Sequence, residues 1–275
     1  MIWKPNGEQT STQRRVIRIG GNILARSILF CAGFYWISHK KARISDFLPD
    51  YKGSNNNKKA PIIVSNHYSW LDIYYFISSR FCPSFLSKKE VVDYPLIGRI
   101  AVGLQSVFVN RDNRDDKNSI LDSIEERAAK IRANKNYPQV LIFPEGTTTN
   151  GKYLISFKKG AFFTKDPIQI VCLKYQERSF GLSYDVIGDI YCMVFVFCQF
   201  VNRLTVTEFD VFDPEYLGLK GEKEEEWMVY MVKVKEVMRK YLGVENSEAG
   251  FYDKKTFYNQ IRDNMKEKKK SSKEN

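Results

Sequence analysis

The sequence predicts an α/β protein in which a central mixed sheet is flanked by helices, with a membrane-associated helical segment at the amino terminus. Short apolar runs alternate with longer segments of helical periodicity through the middle of the chain, and this alternation is typical of α/β layers. Hydrophobic residues make up 43% of the 275 residues, which is enough for a substantial core. The helical pattern near the amino terminus precedes the first predicted strand.

The amino-terminal pattern is that of a basic amphipathic helix. Its apolar positions recur at helical spacing, whereas Arg18 and Arg26 fall on the opposite side. These apolar positions are Val16, Ile19, Ile23, Leu24, Ile28 and Cys31. The apolar run 27–37 that follows is about a dozen residues long, which is shorter than the ~20 residues of a spanning helix. We therefore expect a helix or helical hairpin in the membrane interface, with packing against the protein body as the alternative.

From residue 61 onwards, predicted strands and helices alternate. The predicted strands are 61–64, 105–109, 139–143, 168–175 and 204–211. The predicted helices are 70–80, a segment around 120–131, a short helix at 154–163 and a long helix at about 223–242. The apolar run 191–201 is too short to span a bilayer. It is consistent with either a core helix or a second membrane-facing helix.

Charge is concentrated at the two ends of the chain. Residues 1–59 carry 11 Lys/Arg and 3 Asp/Glu, residues 251–275 carry 8 and 4, and the middle carries 24 and 25. A nucleic-acid enzyme usually has its positive charge around the active cleft, so no nucleic-acid partner is expected. Basic ends on a near-neutral body suit an anionic membrane surface. The five cysteines are scattered and form no CxxC pair, which favours reduced thiols facing the cytosol.

The segment at 66–72, which reads NHYSWLD, carries the clearest catalytic signal. His67 follows a predicted strand, and Asp72 lies in the first turn of the next predicted helix. A histidine held near a carboxylate at such a corner can act as the general base that deprotonates an alcohol. An alternative stays open, because Ser69-x-x-Asp72 is also a capping-box pattern, in which Asp72 only satisfies the start of the helix.

Two further segments are candidates for substrate binding. One predicted strand leads into Arg111, whose guanidinium suits a phosphate, although nearby aspartates offer surface ion pairs instead. Another strand stops at Pro144 and leaves Glu145 at its carboxyl end, followed by Gly146 and Thr147. The backbone N–H groups and hydroxyls of such a loop can contact substrate oxygens. A threonine-rich turn with a solvated Glu145 is the alternative.

Three motifs in a fixed order resemble the first three motifs of the glycerolipid acyltransferases. They are NHxxxxD at 66–72, FVNR at 108–111 and FPEGT at 143–147. That family includes lysophosphatidic acid and lysophospholipid acyltransferases. The wider segment 145–162 is similar to the branch of lysophosphatidylcholine and lysophosphatidylethanolamine acyltransferases, and the resemblance extends over nearly the whole chain.

The resemblance implies roles for individual residues. His67 would be the general base for a lysophospholipid hydroxyl, and Asp72 would orient its ring. The resulting alkoxide would attack the thioester of acyl-CoA directly, so acyl-CoA is a co-substrate and neither a cofactor nor a metal is implied. Arg111 with Glu145 and Gly146 would bind the glycerophosphate part of the acceptor, with Thr147 in the same substrate-binding set. Backbone N–H groups near Gly146 are candidates for stabilising the oxyanion.

One departure from the branch concerns the fourth motif. The branch usually reads Pro-x-x-Pro in a short apolar strand, whereas this chain has Pro167 followed by Ile170 at the second position. The motif is associated with the acceptor and acyl pocket, so the acyl or head-group preference does not follow from the resemblance.

The sequence as a whole predicts a membrane-associated acyl-CoA:lysophospholipid O-acyltransferase, placed at the endoplasmic reticulum with its active site facing the cytosol. Three segments are expected: a membrane-associating amino terminus (1–52), a catalytic domain (60–245) and a carboxyl-terminal extension (246–275) with a disordered lysine-rich tail. The alternatives are a lysophosphatidic acid acyltransferase, a CoA-independent transacylase and a non-catalytic lipid-binding module. A lipase is disfavoured because the chain has no GxSxG elbow.

Overall fold

The structure is a computed structural model, and most of the chain can be described. The described residues are 11–53, 60–88, 92–93, 97–109, 117–134, 137–176, 181–183, 189–218 and 223–271. The helices are α1 (Ser11–Cys31), α2 (Leu71–Ser78), α3 (Ile97–Gly103), α4 (Lys117–Ala133), α5 (Asp189–Cys198), α6 (Lys223–Leu242) and α7 (Phe251–Ser271). The strands are β1 (Ile37–Ala42), β2 (Ile62–Ser65), β3 (Ser84–Lys88), β4 (Val107–Val109), β5 (Val140–Ile142), β6 (Tyr153–Leu154), β7 (Ile168–Gln176), β8 (Arg203–Phe212) and β9 (Glu245–Asn246).

Seven of these strands form one mixed sheet in the order β1-β8-β7-β2-β5-β3-β4. Strands β7 and β8 are antiparallel, and the other neighbours in the sheet are parallel. Every residue of β2 and β5 is buried. Such continuous apolar runs are typical of central strands that are covered on both faces. The predicted α/β class with a central mixed sheet is therefore confirmed.

Two apolar clusters cover the two faces of the sheet. Because side chains alternate along a strand, Ile62 and Val64 of β2 enter one cluster and Ile63 enters the other. Helices α4 and α6 cover the first face, with Val234 of α6 completely buried. Helices α1 and α2 cover the second face, where Leu29 of α1 is completely buried. The layers lie helix, sheet, helix, as the alternating pattern predicts.

The amino-terminal segment differs from the prediction after residue 31. Helix α1 ends at Cys31, and the chain turns at Gly33, which has φ +80. Gly33 also lies close to Gln199, since a Cβ on Gly33 would be 2.6 Å from the Gln199 carbonyl oxygen. The chain then forms β1, which pairs with β8 at the sheet edge. Ile44 and Tyr51 beyond it are buried in the core. Residues 37–51 thus belong to the protein body. The sequence of β1 is polar and does not predict a strand, but β1 forms because it pairs with the distant strand β8.

Two further expectations about local structure were wrong. The segment predicted as a short helix at 154–163 begins with Leu154, the last residue of β6, and contains a 3₁₀ helix at Lys159–Ala161 instead. The chain enters it as a strand because β6 pairs with the distant strand β9. The lysine-rich tail is helical as far as Ser271. Lysine and glutamate favour a helix, and no Gly or Pro interrupts the segment. Residues 272–275 lie outside the described range.

The remaining predicted strands and helices agree with the structure to within a few residues. Strand β4 is shorter than predicted because Gln105 has φ +56, which breaks the extended run. Strand β3 and helix α3 were not predicted. The apolar run near residue 195 is the helix α5, with Cys192 and Val196 buried and its other face exposed. Among the described helices, none has both the length and the apolarity to cross a bilayer.

Candidate active site

The candidate site lies where the parallel strands β2 and β5 end. The chain leaves β2 at Ser65, and His67 follows two residues later. Between them, the Asn66 side chain fixes the loop to β7: its Nδ2 donates to the Leu173 carbonyl at 2.9 Å, and its Oδ1 accepts from the Leu173 N–H at 2.8 Å. The carboxyl ends of parallel strands are the usual ligand-binding edge of an α/β sheet. Asn66 therefore sets the direction in which the histidine leaves the sheet.

His67 and Asp72 are in contact. The distance from His67 Nδ1 to Asp72 Oδ2 is 2.8 Å, and the His67 side chain is 15% exposed whereas Asp72 is completely buried. The imidazole also stacks on the Phe143 ring, with centroids 3.9 Å apart and an interplanar angle of 12°. A carboxylate at Nδ1 holds the proton of the neutral imidazole on that nitrogen, so Nε2 is left as the basic atom.

Asp72 also supports the start of helix α2. Its Oδ2 accepts the backbone N–H groups of Tyr68 at 2.7 Å and Ser69 at 2.9 Å, and the bond from Ser69 is one of the two that make up a capping box. Its Oδ1 accepts the hydroxyl of Tyr175 at 2.5 Å. The capping and catalytic interpretations of the motif are thus compatible, because one carboxylate does both. Tyr175 was missed by the sequence analysis, since nothing in its local pattern marks it.

Glu145 lies beneath the site rather than on its surface. Its side chain is completely buried. Oε1 accepts the His67 backbone N–H at 3.2 Å, and Oε2 accepts the Ile155 N–H at 3.5 Å. Burial raises the pKa of Glu145 to about 7, although the two backbone hydrogen bonds and the charge of Lys235 oppose the rise. The sequence predicted that Glu145 contacts the acceptor or, as the alternative, is solvated. In the structure its carboxyl group is instead buried and accepts the backbone N–H of His67.

The loop after Glu145 requires glycine. Gly146 has φ +70, and a Cβ there would lie 2.6 Å from Lys158 Nζ. Its N–H donates to the Phe143 carbonyl at 3.0 Å, so in this structure that group closes a turn and does not point to an oxyanion. Thr147 is partly exposed. The Thr149 N–H donates to the His67 carbonyl at 2.9 Å, which ties this loop to the histidine loop.

Arg111 lies outside the described residues. Strand β4, which leads towards it, runs parallel to β3, and β3 runs parallel to β5. The carboxyl end of β4 therefore meets the same edge of the sheet as His67, three strand spacings of roughly 4.8 Å away from β2. Ile170 of the fourth motif is completely buried in β7 next to Val64, beside a register shift in the pairing with β8.

The raised pKa of Glu145 has a consequence for stability. An acid whose pKa is about 7 in the folded protein and near 4.5 when unfolded stabilises the fold below pH 4.5, and this stabilisation is lost as the pH rises to 7. We expect the free energy of unfolding to fall by up to about 3 kcal/mol over this window. Glu145→Gln should flatten this dependence in urea titrations between pH 5 and 7.5. Glu126→Gln, at an exposed ion pair with Lys130, should retain it, and an unchanged slope in Glu145→Gln would contradict the assignment.

The chain is similar to known acyltransferases. A family model described as Acyltransferase matches residues 45–174. The chain is 34% identical over 267 residues to the lysophospholipid acyltransferase LPEAT1 of Arabidopsis thaliana, covering 92% of this chain and 66% of the relative. It is 36% identical over 202 residues to a lysophosphatidylcholine acyltransferase of Drosophila melanogaster, covering 71% and 36%. The chain thus spans a third to two thirds of the length of such relatives.

A solved structure is also similar. It is the crystal structure of the 1-acyl-sn-glycerophosphate (LPA) acyltransferase PlsC from Thermotoga maritima. The alignment has a TM-score of 0.49 at 18% sequence identity, and it covers 86% of this chain and 84% of that one.

Proposed function

Because this chain belongs to the acyltransferase family, we propose that it transfers an acyl chain from acyl-CoA to the free hydroxyl of a lysophospholipid. The observation that carries the proposal is the 2.8 Å contact between His67 Nδ1 and Asp72 Oδ2 at the carboxyl edge of the sheet. A base with its second nitrogen available at such an edge suits the deprotonation of a substrate alcohol. The names of the relatives support a lysophospholipid as the acceptor.

In the proposed reaction, His67 Nε2 takes the proton of the acceptor hydroxyl while the oxygen attacks the thioester carbonyl. The new C–O bond gives a tetrahedral intermediate, which collapses with cleavage of the C–S bond. The imidazolium then returns its proton to the CoA thiolate, so the products are a phospholipid and free CoA. Asp72 stabilises the imidazolium during the reaction, as the aspartate of a hydrolase triad does. No acyl-enzyme is needed, because the acceptor itself is the nucleophile.

We propose that residues in the loops around the catalytic dyad, which is His67 with Asp72, bind the substrate. Arg111 would meet the phosphate of the acceptor through its planar set of donors. Gly146 and Thr147 would line the wall of the site beside His67. Glu145 would act from the interior by holding the His67 backbone, which is consistent with its two backbone hydrogen bonds.

Two exposed apolar faces support attachment to a membrane. On α1, Val16, Ile19 and Ile23 are between 50 and 65% exposed. The opposite side of the same helix packs on the body through Ala25 and Leu29, which are buried. An amphipathic helix with such a free apolar stripe and basic neighbours suits the interface of an anionic bilayer.

A second exposed apolar surface lies near the end of α5. Phe197 in its last turn is 47% exposed, Phe200 two residues beyond the helix is 86% exposed, and Trp36 is 80% exposed. The two helix ends meet there, since Asn202 Nδ2 donates to the Ala32 carbonyl at 2.7 Å. Exposed aromatic rings are favoured at the level of lipid head groups. All five cysteines are free, which supports our proposal that the site faces the reducing cytosol. We propose the endoplasmic reticulum as the membrane.

Charges placed on the apolar stripe of α1 should weaken membrane binding. The variant Ile19→Glu/Ile23→Glu removes two exposed apolar side chains, each of which contributes roughly 1.5–3 kcal/mol when buried in lipid. We expect the fraction that floats with phosphatidylcholine–phosphatidylserine vesicles to fall at least about tenfold. Val232→Glu, at a position of α6 that is 52% exposed, is the matched control and should float like the wild type. Undiminished flotation of the double variant would exclude α1 as the attachment.

The proposed activity can be tested with the full chain expressed in microsomes. Labelled oleoyl-CoA is offered with a panel of lysophospholipids that includes lysophosphatidic acid, and the products are separated by head group. Labelled phospholipid that depends on both substrates is the expected result. Free fatty acid as the sole labelled product would indicate a hydrolase, and transfer from a labelled phospholipid without acyl-CoA would indicate a transacylase. No product with any acceptor would support a non-catalytic lipid-binding module.

A further inference from the structure

A tyrosine hydroxyl beside the dyad has no part in the mechanism above. Tyr175 lies on β7, and its hydroxyl donates to Asp72 Oδ1 at 2.5 Å. The other carboxylate oxygen, Oδ2, accepts from His67, Tyr68 and Ser69. Among the residues that the structure describes, Tyr175 is thus the hydrogen-bond donor to the oxygen that faces away from the imidazole.

We propose that Tyr175 is a positioning residue for acyl transfer, whose hydroxyl holds the Asp72 carboxylate in the orientation that supports His67. This inference rests on the proposed function, because it assumes that His67 is the working base. Tyr175 does not touch the reacting atoms. It acts through Asp72 alone.

The scaffold around Tyr175 suits such a role. Its ring stacks on Tyr68, with centroids 5.1 Å apart at 27°, and meets the edge of Phe34 at 5.8 Å and 79°. Phe34 is completely buried in the turn that follows α1. β7 is hydrogen-bonded to strands on both sides. Because the tyrosine is held by the sheet and by two rings, its hydroxyl reaches Asp72 from a fixed point.

The hydroxyl is kept as a donor. Burial raises the pKa of Tyr175 well above its ordinary value, and the charge of Asp72 adds to the rise. The hydroxyl therefore stays protonated at neutral pH. As a neutral donor, the hydroxyl partly offsets the negative charge on Asp72 Oδ1. Without it, the attraction between the carboxylate and the imidazolium would be stronger.

Two effects are expected in Tyr175→Phe, which loses the hydroxyl but retains the ring. Asp72 Oδ1 loses its hydrogen bond, so the carboxylate and the imidazole bonded to it spend less time in the reactive orientation. We expect kcat to fall about tenfold, which corresponds to the loss of one hydrogen bond to a charged group. The KM values for acyl-CoA and acceptor should change less than twofold. The acidic limb of the pH profile of kcat/KM should move to higher pH, because the unshared charge retains the imidazolium proton more tightly.

A matched control separates positioning from stability. Tyr230 is a completely buried tyrosine of the core, and its hydroxyl contacts the carbonyl oxygens of Phe212 at 2.8 Å and Asp166 at 3.1 Å. Tyr230→Phe should lose a comparable amount of thermal stability while kcat and the pH profile stay as in the wild type. A drop in kcat of the same size in both variants, with no movement of the pH limb in either, would overturn the positioning role.

The decisive measurement is a double-mutant cycle with Asp72→Asn. If Tyr175 acts through the carboxylate, Tyr175→Phe should have no further effect on kcat in the Asp72→Asn background. A further tenfold loss there would overturn the inference, as would unchanged kcat and pH profile in the single variant. The proposed function is tested separately, because wild-type transfer that is lost in His67→Ala would stand in either case.

Discussion

Replacing His67 by alanine should lower the rate of acyl transfer by about 10³-fold or more, while the protein stays folded. General-base catalysis contributes roughly 10²–10⁴-fold, and here the base is also the group that returns a proton to the leaving thiolate. The side chain is 15% exposed and contacts Asp72 and the Phe143 ring, so its removal leaves a small gap at the edge of the site. The measurement is labelled transfer from oleoyl-CoA per unit of folded protein, with the melting temperature followed in parallel.

The chain offers its own control for this variant. His39 is the other of the two histidines in the sequence, and it is exposed on the edge strand β1. His39→Ala should keep full activity. Transfer that survives His67→Ala at the wild-type rate would exclude the proposed base, and loss of activity together with loss of the folded protein would assign His67 to structure.

Replacing Asp72 by asparagine should give the second large effect, a fall in kcat of about 10²–10⁴-fold with little change in stability. Asparagine can still accept the N–H groups of Tyr68 and Ser69 through its carbonyl oxygen, so the cap of α2 is largely kept. It carries no negative charge, so it cannot stabilise the imidazolium that forms when His67 takes the proton. The corresponding change in a serine-protease triad lowers kcat by about 10⁴-fold.

The pair Asp72→Asn and Asp72→Ala separates the two functions of this carboxylate. Asp72→Ala removes the cap as well and should lower the free energy of unfolding by a further 1 kcal/mol or so. Both variants should be nearly inactive, although only the alanine variant should melt clearly lower. If Asp72→Asn instead retains transfer while Asp72→Ala loses it together with stability, Asp72 is only a helix cap.

Much of the candidate site follows from local sequence. The dyad is predicted because His67 and Asp72 are separated by a single strand-to-helix corner, so their distance depends on few backbone angles. Glu145 is predicted at the carboxyl end of a strand because the apolar run stops at Pro144, and the structure adds that this strand is parallel to β2. Its burial is not predictable, since it depends on Ile155 and on the packing of α6 behind it. The capping and catalytic interpretations of Asp72 also stay undecided at the level of sequence, because both place its carboxylate in the first turn of the helix.

Two of the strands that the sequence analysis missed share a cause. Strands β1 and β6 are short and carry polar or mixed residues, and each exists through pairing with a strand more than 90 residues later in the chain. Local periodicity cannot signal such pairing. The long helices and the central strands were predicted well, because their apolar pattern is both local and strong. Helix α7 was missed for another reason: its charged composition suggested disorder, although the same residues favour a helix.

The sequence by itself determined the α/β class, the apolar character of β2, β5 and β7, and the base with its carboxylate, since each of these depends on residues that are close together in the chain. Only the tertiary structure decided which groups complete the site. Tyr175 reaches Asp72 from a strand about 100 residues away, Glu145 is buried beneath His67, and residues 37–51 join the body. These relations arise because the sheet brings distant segments to one edge, where a hydrogen bond depends on packing and not on the distance along the chain.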